Sequence, residues 1–160
     1  FSASGAAKGT MDKAEVDMAA SLLRVGTMLE TPSMCLAMEE VDAETPLDFV
    51  SFGTNDLTQF ILGASRDDGS YIKHYVDQDY YEADPFLELA RPVLTTIERA
   101  VGALRSRKPN VSIGACGEAC SEPQSMLRLL DAGVDYVSCS TLFVRRALLT
   151  HAKHILLKEK

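Results

Sequence analysis

The residues able to do chemistry collect at four places in this 160-residue chain. Glu30 ends the apolar run VGTMLE, residues 25–30. Asn55 and Asp56 follow FVSFG, residues 49–53. Cys116, Gly117 and Glu118 close VSIGAC and the turn after it. Ser138, Cys139 and Ser140 close a fourth run that begins at Tyr136. Each run reads as a strand. In a parallel β/α array the strand ends share one face, where such folds build their sites. One polar residue at a strand end is commonplace. Carboxylate, amide with carboxylate, thiol with carboxylate, and hydroxyls at four successive ends point to a shared site.

Glu30 and Asp56 supply two carboxylates from neighbouring strands. Mg2+ is typically held by one or two carboxylates, with waters and substrate oxygens completing its shell. Both residues equally suit solvated caps, Asp56 for a helix starting at Leu57. Gly53-Thr54 lets the backbone approach a small anion closely. Cys116, between Ala115 and Gly117, is open to two readings. It is a small buried hydrophobe, or a proton donor whose pKa is set by its surroundings. Cys35 and Cys139 read as packing residues. Cys116 and Cys120 form CxxxC without a second pair, which is not a zinc ribbon or a redox CxxC. His151 and His154 stand at i, i+3 on the last helix. With no carboxylate nearby in sequence, they read as a solvated helix face.

Four strand–helix units must position these groups. After the first strand, Thr31 suits an N-cap and Pro32 the first helical position. Met34, Ala37, Met38 and Val41 then share one face at i, i+3, i+4, i+7. The second strand is followed by a short helix over residues 57–62. Residues 63–84 show no clear period. Such long loops are usually functional or make a subunit contact, and a contact with a neighbour is the expectation here. Asp84-Pro85 opens the next helix, whose stripe is Leu94, Ile97, Val101 and Leu104, with Pro92 a kink or restart. Ser121-x-x-Gln124 reads as a capping box with Pro123 in the first turn. Met126, Leu127, Leu129 and Leu130 form that helix's face, and Gly133 ends it. The last helix covers residues 142–157. Alternating strands and helices imply parallel strands with right-handed crossovers. The short, nearly continuous apolar runs predict strands covered on both faces.

Hydrophobic residues make up 46% of the chain and charged residues 24%, with a net charge of −7. This is the composition of an ordinary globular domain. An acidic chain without a basic stripe excludes itself from nucleic-acid binding, and no apolar run approaches the roughly 18 residues of a membrane span. Four cysteines without a disulfide-type spacing suit a reduced, intracellular setting, cytoplasm or organelle interior. Residues 1–20 read as a flexible lead-in or the remnant of a targeting peptide, and residues 21–160 as the folded unit.

The motifs GTMLETP, FVSFGTNDLTQ, SRDD, CGE and DYVSCS occur here in one order over residues 24–155. That series resembles the PEP-utilising enzymes, and most of all the pyruvate, phosphate dikinase type. The resemblance implies the C-terminal half, four units, of an eight-unit TIM-type β/α barrel that binds PEP or pyruvate with Mg2+. It implies Glu30 and Asp56 as metal ligands. Glu30, Gly53, Thr54, Asn55, Asp56 and Tyr136 would line the substrate, and Cys116 would protonate the enolpyruvate carbon. Where dikinases continue CGE with His-Gly-Gly, this chain has Ala119-Cys120-Ser121.

A complete barrel typically needs about 250 residues. The expectation is therefore a part of a phosphotransferase, inactive alone. A second chain, a missing segment or self-association would supply the other half. The alternative is a non-catalytic structural or interaction subunit derived from the barrel. An unrelated open-sheet binding module is the remaining reading, and the Gly-rich turn of a dinucleotide fold is missing.

Overall fold

A computed structural model describes residues 12–158. Four strands form one parallel sheet: β1 (Gly26–Leu29), β2 (Phe49–Gly53), β3 (Ser112–Cys116) and β4 (Tyr136–Ser138). Their spatial order is their chain order. A doubly wound sheet reverses its order at a switch point. The steady progression β1-β2-β3-β4 is instead that of one side of a β/α barrel.

Side chains alternate across the strands. Leu29, Val50, Phe52, Ile113 and Ala115 are fully buried and join the core with Val93, Ile97 and Leu104. The opposite face carries Met28, Phe49, Ser51, Ser112, Tyr136 and Ser138, none of which belongs to that core. The expectation that both faces are covered is therefore corrected. Among the described residues the core is built on one face, and the other face stays partly open.

The helices follow local chemistry with several corrections. α1 (Lys13–Leu22) occupies part of the segment read as a lead-in; residues 1–11 of that segment lie outside the described residues. α2 (Pro32–Ala37) starts as expected, with Thr31 Oγ1 accepting from the Met34 N–H at 3.3 Å. Its buried residues are Cys35 and, at the cap, Met38, whereas Met34 and Ala37 are exposed. Val41, the last residue of that stripe, packs against the core beyond the end of the six-residue helix. α3 (Thr54–Leu62) begins three positions earlier than expected, directly from the end of β2. Asp56 therefore lies in its first turn and is not its cap.

The segment 63–84 is not all loop. α4 (Gly69–Asp77) forms there, capped by Asp68, whose carboxylate accepts from the Tyr71 N–H at 3.1 Å. Only Ile72 of α4 is buried, against Ala64 and Phe86. One buried residue leaves no apolar period to read. Asp84 caps a turn through the Phe86 N–H at 2.9 Å, and α5 (Arg91–Arg107) starts later, with Pro92 in its first turn, the restart of the two readings offered for it. Arg105 near its end donates to the Val111 carbonyl at 2.8 Å and to Asp135 at 2.6 Å, which ties α5 to the starts of β3 and β4.

A 3₁₀ turn, Glu118–Ser121, precedes α6 (Pro123–Asp131). The expected capping box is displaced by one residue: Glu122, not Ser121, accepts from the Ser125 N–H, at 2.7 Å. Ser121 belongs to the preceding turn and is spent there. A second 3₁₀ turn, Thr141–Phe143, leads into α7 (Val144–Lys158). There His154 is not a solvated residue: its Nε2 lies 3.1 Å from Asp131 of α6. None of the described helices is long and apolar enough to cross a membrane.

Candidate functional site

Strand register sets the site. Gly53 pairs with Cys116, and Cys116 pairs with Ser138, so β2, β3 and β4 end level. Leu29 pairs with Phe52, which brings Glu30 level with Gly53. The two are in contact: a Cβ on Gly53 would fall 2.9 Å from Glu30 Oε2. Glycine is what allows the Glu30 side chain to cross the end of β2.

The turns after β2 and β3 are bonded to each other. Thr54 is buried, and its hydroxyl donates to the Cys116 carbonyl at 2.9 Å. Asn55 Oδ1 accepts from the Glu118 N–H at 3.2 Å. Gly117 passes between them with φ +125°. A Cβ there would stand 2.1 Å from Thr54 Oγ1, so both conformation and space demand glycine. The Thr54 side chain thus acts as a pin between strands. Any contact it makes with a ligand must come from its backbone.

Asp56 is exposed in the first turn of α3. Its Oδ1 accepts from Gln59 Nε2 at 3.1 Å. Gln59 Oε1 in turn accepts from the Arg66 N–H at 3.0 Å. The Arg66 guanidinium lies 3.8 Å from Glu118. Sequence reasoning missed Gln59, although its place three residues after Asp56 puts both on one side of a helix. Arg66 belongs to the SRDD motif.

The four thiols are unlike one another. Burial pushes the Cys35 thiol up to about 11. Burial, with Cys116 and then Cys139 as like charges, pushes Cys120 up to about 12 despite a hydrogen bond with Thr54. Those two are packing residues. Cys116 and Cys139 are half-buried. Cys139, expected to pack, instead lines a cleft of about 610 Å³ with Asn55, Gly117, Ser138, Ser140 and Arg146. Arg146 bonds the Ser121 carbonyl and stacks 4.6 Å from the Phe143 ring centroid. Tyr136 lies lower on the open face, its ring over Gly114.

Glu30 and Asp56 are hard oxygen donors, the chemistry of a Mg2+ site completed by waters and substrate. Among the described residues no group of three or more His, Cys, Asp or Glu forms a cage, so a metal here would rest on few protein ligands. The donor set fits that requirement.

Residues 6–155 match the family model described as PEP-utilising enzyme, PEP-binding domain. The chain is 42% identical over 132 residues to a chloroplastic pyruvate, phosphate dikinase of Mesembryanthemum crystallinum, covering 81% of this chain. It is 42% identical over 135 residues to the chloroplastic pyruvate, phosphate dikinase 1 of Oryza sativa subsp. japonica, covering 83%. Against the pyruvate, phosphate dikinase of Treponema pallidum it is 39% identical over 131 residues, covering 81%. The matched region spans 14% of the length of each of these relatives. With four parallel β/α units forming part of a TIM-type barrel, this chain belongs to the PEP-utilising enzymes and carries their PEP-binding domain.

Proposed function

We propose that this chain is the PEP/pyruvate- and Mg2+-binding portion of a pyruvate, phosphate dikinase-like phosphotransferase that interconverts PEP and pyruvate. One observation supports the reading: β2 and β3 end level at Gly53 and Cys116, Glu30 lies against Gly53, Asn55 bonds the Glu118 N–H of the turn after Cys116, and Asp56 follows in the first turn of α3. Glu30 and Asp56 would hold Mg2+, which supplies Lewis-acid stabilisation of charge developing on the substrate oxygen. Asn55 and the Gly53-Thr54 backbone line the substrate, with Tyr136 beside it on the open face. The Cys116 thiol delivers a proton to the methylene carbon of enolpyruvate, and its thiolate removes one from the pyruvate methyl in reverse.

The partly open sheet face, and the edges of β1 and β4 left unpaired among the described residues, call for a further half-barrel from a longer polypeptide, a second chain or self-association. Activity requires that half. The chloroplastic and bacterial relatives support an intracellular setting, cytoplasm or organelle interior.

Oxalate, a planar mimic of enolpyruvate, tests the proposal by calorimetry with the complementary half present. Binding is expected only with Mg2+ and is expected to vanish in Asp56→Asn. Cys116→Ala is expected to bind oxalate normally but to lose exchange of pyruvate methyl protons by about 10²–10⁴-fold. Oxalate binding that ignores Mg2+ and Asp56 sinks the reading. Absent binding favours a non-catalytic subunit.

A further inference from the structure

Asp56 is held by a side chain that no motif reading assigned. Asp56 and Gln59 stand three apart at the start of α3, so their side chains share one side of the helix. Gln59 Nε2 donates to Asp56 Oδ1 at 3.1 Å. An amide has two ends, and the other end is also engaged. Gly63 closes α3 in the left-handed conformation, φ +61°, and turns the chain back on itself. The turn brings the Arg66 N–H within 3.0 Å of Gln59 Oε1. A backbone donor thereby fixes which end of the amide faces Asp56, and only the NH2 end can donate to a carboxylate.

Resting on the reading of Asp56 as a Mg2+ ligand, we infer that Gln59 is the positioning residue that orients the Asp56 carboxylate for the metal, with the loop after α3 setting the orientation of Gln59. Outer partners of this kind fix the angle of a ligating carboxylate, and their loss typically weakens metal affinity by about 10–100-fold. The Asp56 Oδ2 oxygen carries no protein hydrogen bond among the described residues and is left for the ion. The Arg66 side chain does a separate job. It reaches Glu118 at 3.8 Å, across to the turn after β3. Because the bond to Gln59 uses the Arg66 backbone, the two roles separate by mutation.

Mn2+ replaces Mg2+ as the probe, with affinity read by electron paramagnetic resonance on the protein at its native length. Thermal midpoints are recorded for every variant. Gln59→Met keeps the length of the side chain and removes both hydrogen bonds. It is expected to weaken Mn2+ binding by roughly 10-fold or more at an unchanged midpoint. Arg66→Ala keeps the backbone donor and is expected to bind Mn2+ like the parent. Asp56→Asn is expected to lose binding. If Asp56→Asn binds Mn2+ normally, or the parent binds none, the reading of Asp56 fails and takes this inference with it. If Asp56→Asn loses binding while Gln59→Met keeps it, the positioning role alone is overturned. Equal losses in Gln59→Met and Arg66→Ala also overturn it, because the loop and not the amide would then hold Asp56.

Discussion

The two faces of the sheet are built from the same strands and do different work. On the covered face Leu29, Val50, Phe52, Ile113 and Ala115 are fully buried and meet α2, α3 and α5. On the open face small, polar or half-buried residues alternate with them, ending in Cys116 and Ser138 at the edge. One residue along a strand switches a side chain from one face to the other. Ala115 is sealed in the core while Cys116 is half-buried beside Asn55 and Gly117. Stability and chemistry are thus separated by strand alternation, and substitutions on the two faces should have separable effects.

The largest expected effect is on the covered face. Phe52→Ala removes a fully buried ring and should cost about 3–5 kcal/mol in denaturant unfolding. Tyr136→Phe on the open face should stay within about 0.5 kcal/mol. Equal losses would break the comparison. Next comes Gly117→Ala, at the seam between faces. The added methyl meets Thr54 Oγ1 in a backbone conformation that disfavours it, and a loss of about 1–3 kcal/mol is expected. The same variant should lose substrate binding, because Asn55 and Glu118 shift with the turn.

Thiol alkylation sharpens the contrast at the level of single atoms. In native protein at pH 8, Cys116 and Cys139 should react with iodoacetamide well before Cys35 and Cys120, as read by mass spectrometry. A thiol at about 12, as for Cys120, is ionised there to roughly one part in ten thousand. Denaturant should make all four react alike. Rapid native labelling of Cys120 would contradict its placement in the core.

The smallest effect is electrostatic. Burial alone would raise the Asp135 pKa, but hydrogen bonds from Arg105 and the Ile113 N–H, with the Arg105 charge, bring it below the ordinary carboxylate value. A depressed folded pKa stabilises above the unfolded value, and the contribution is lost as pH falls through the folded one. Asp135→Asn should therefore lower stability modestly near pH 7, where this contribution is fully present, and least near pH 2, which flattens part of the acid limb of the stability–pH curve. Unfolding curves at a series of pH values between 2 and 7 measure it.

Much of this architecture was legible because it is local. The limits of β2 follow from an apolar run ended by glycine, and Gly133, with φ +97°, stands where a helix must stop. α4 was not legible, because one buried isoleucine creates no period and the tyrosines around it suit a loop equally well. The cap of α6 was displaced because Ser121 and Glu122 are both able caps, and only the 3₁₀ turn before them decides which is free. His154 looked solvated because its partner, Asp131, is 23 residues away. Gln59 was overlooked because its role depends on where residue 66 returns, which the turn at Gly63 sets in three dimensions.

The sequence by itself determined the ancestry, the four strand ends and the residue types standing at them. These depend on composition, short spacing and the preferences of single residues. Tertiary structure alone decided which of those residues are free to act. It placed the Thr54 hydroxyl inside, against the Cys116 carbonyl, and left Asp56 outside. It sealed Cys120 and left Cys116 half-open, four positions apart in the chain. Burial and hydrogen-bond partnership are properties of what comes from elsewhere in the chain, and no short stretch of sequence carries them.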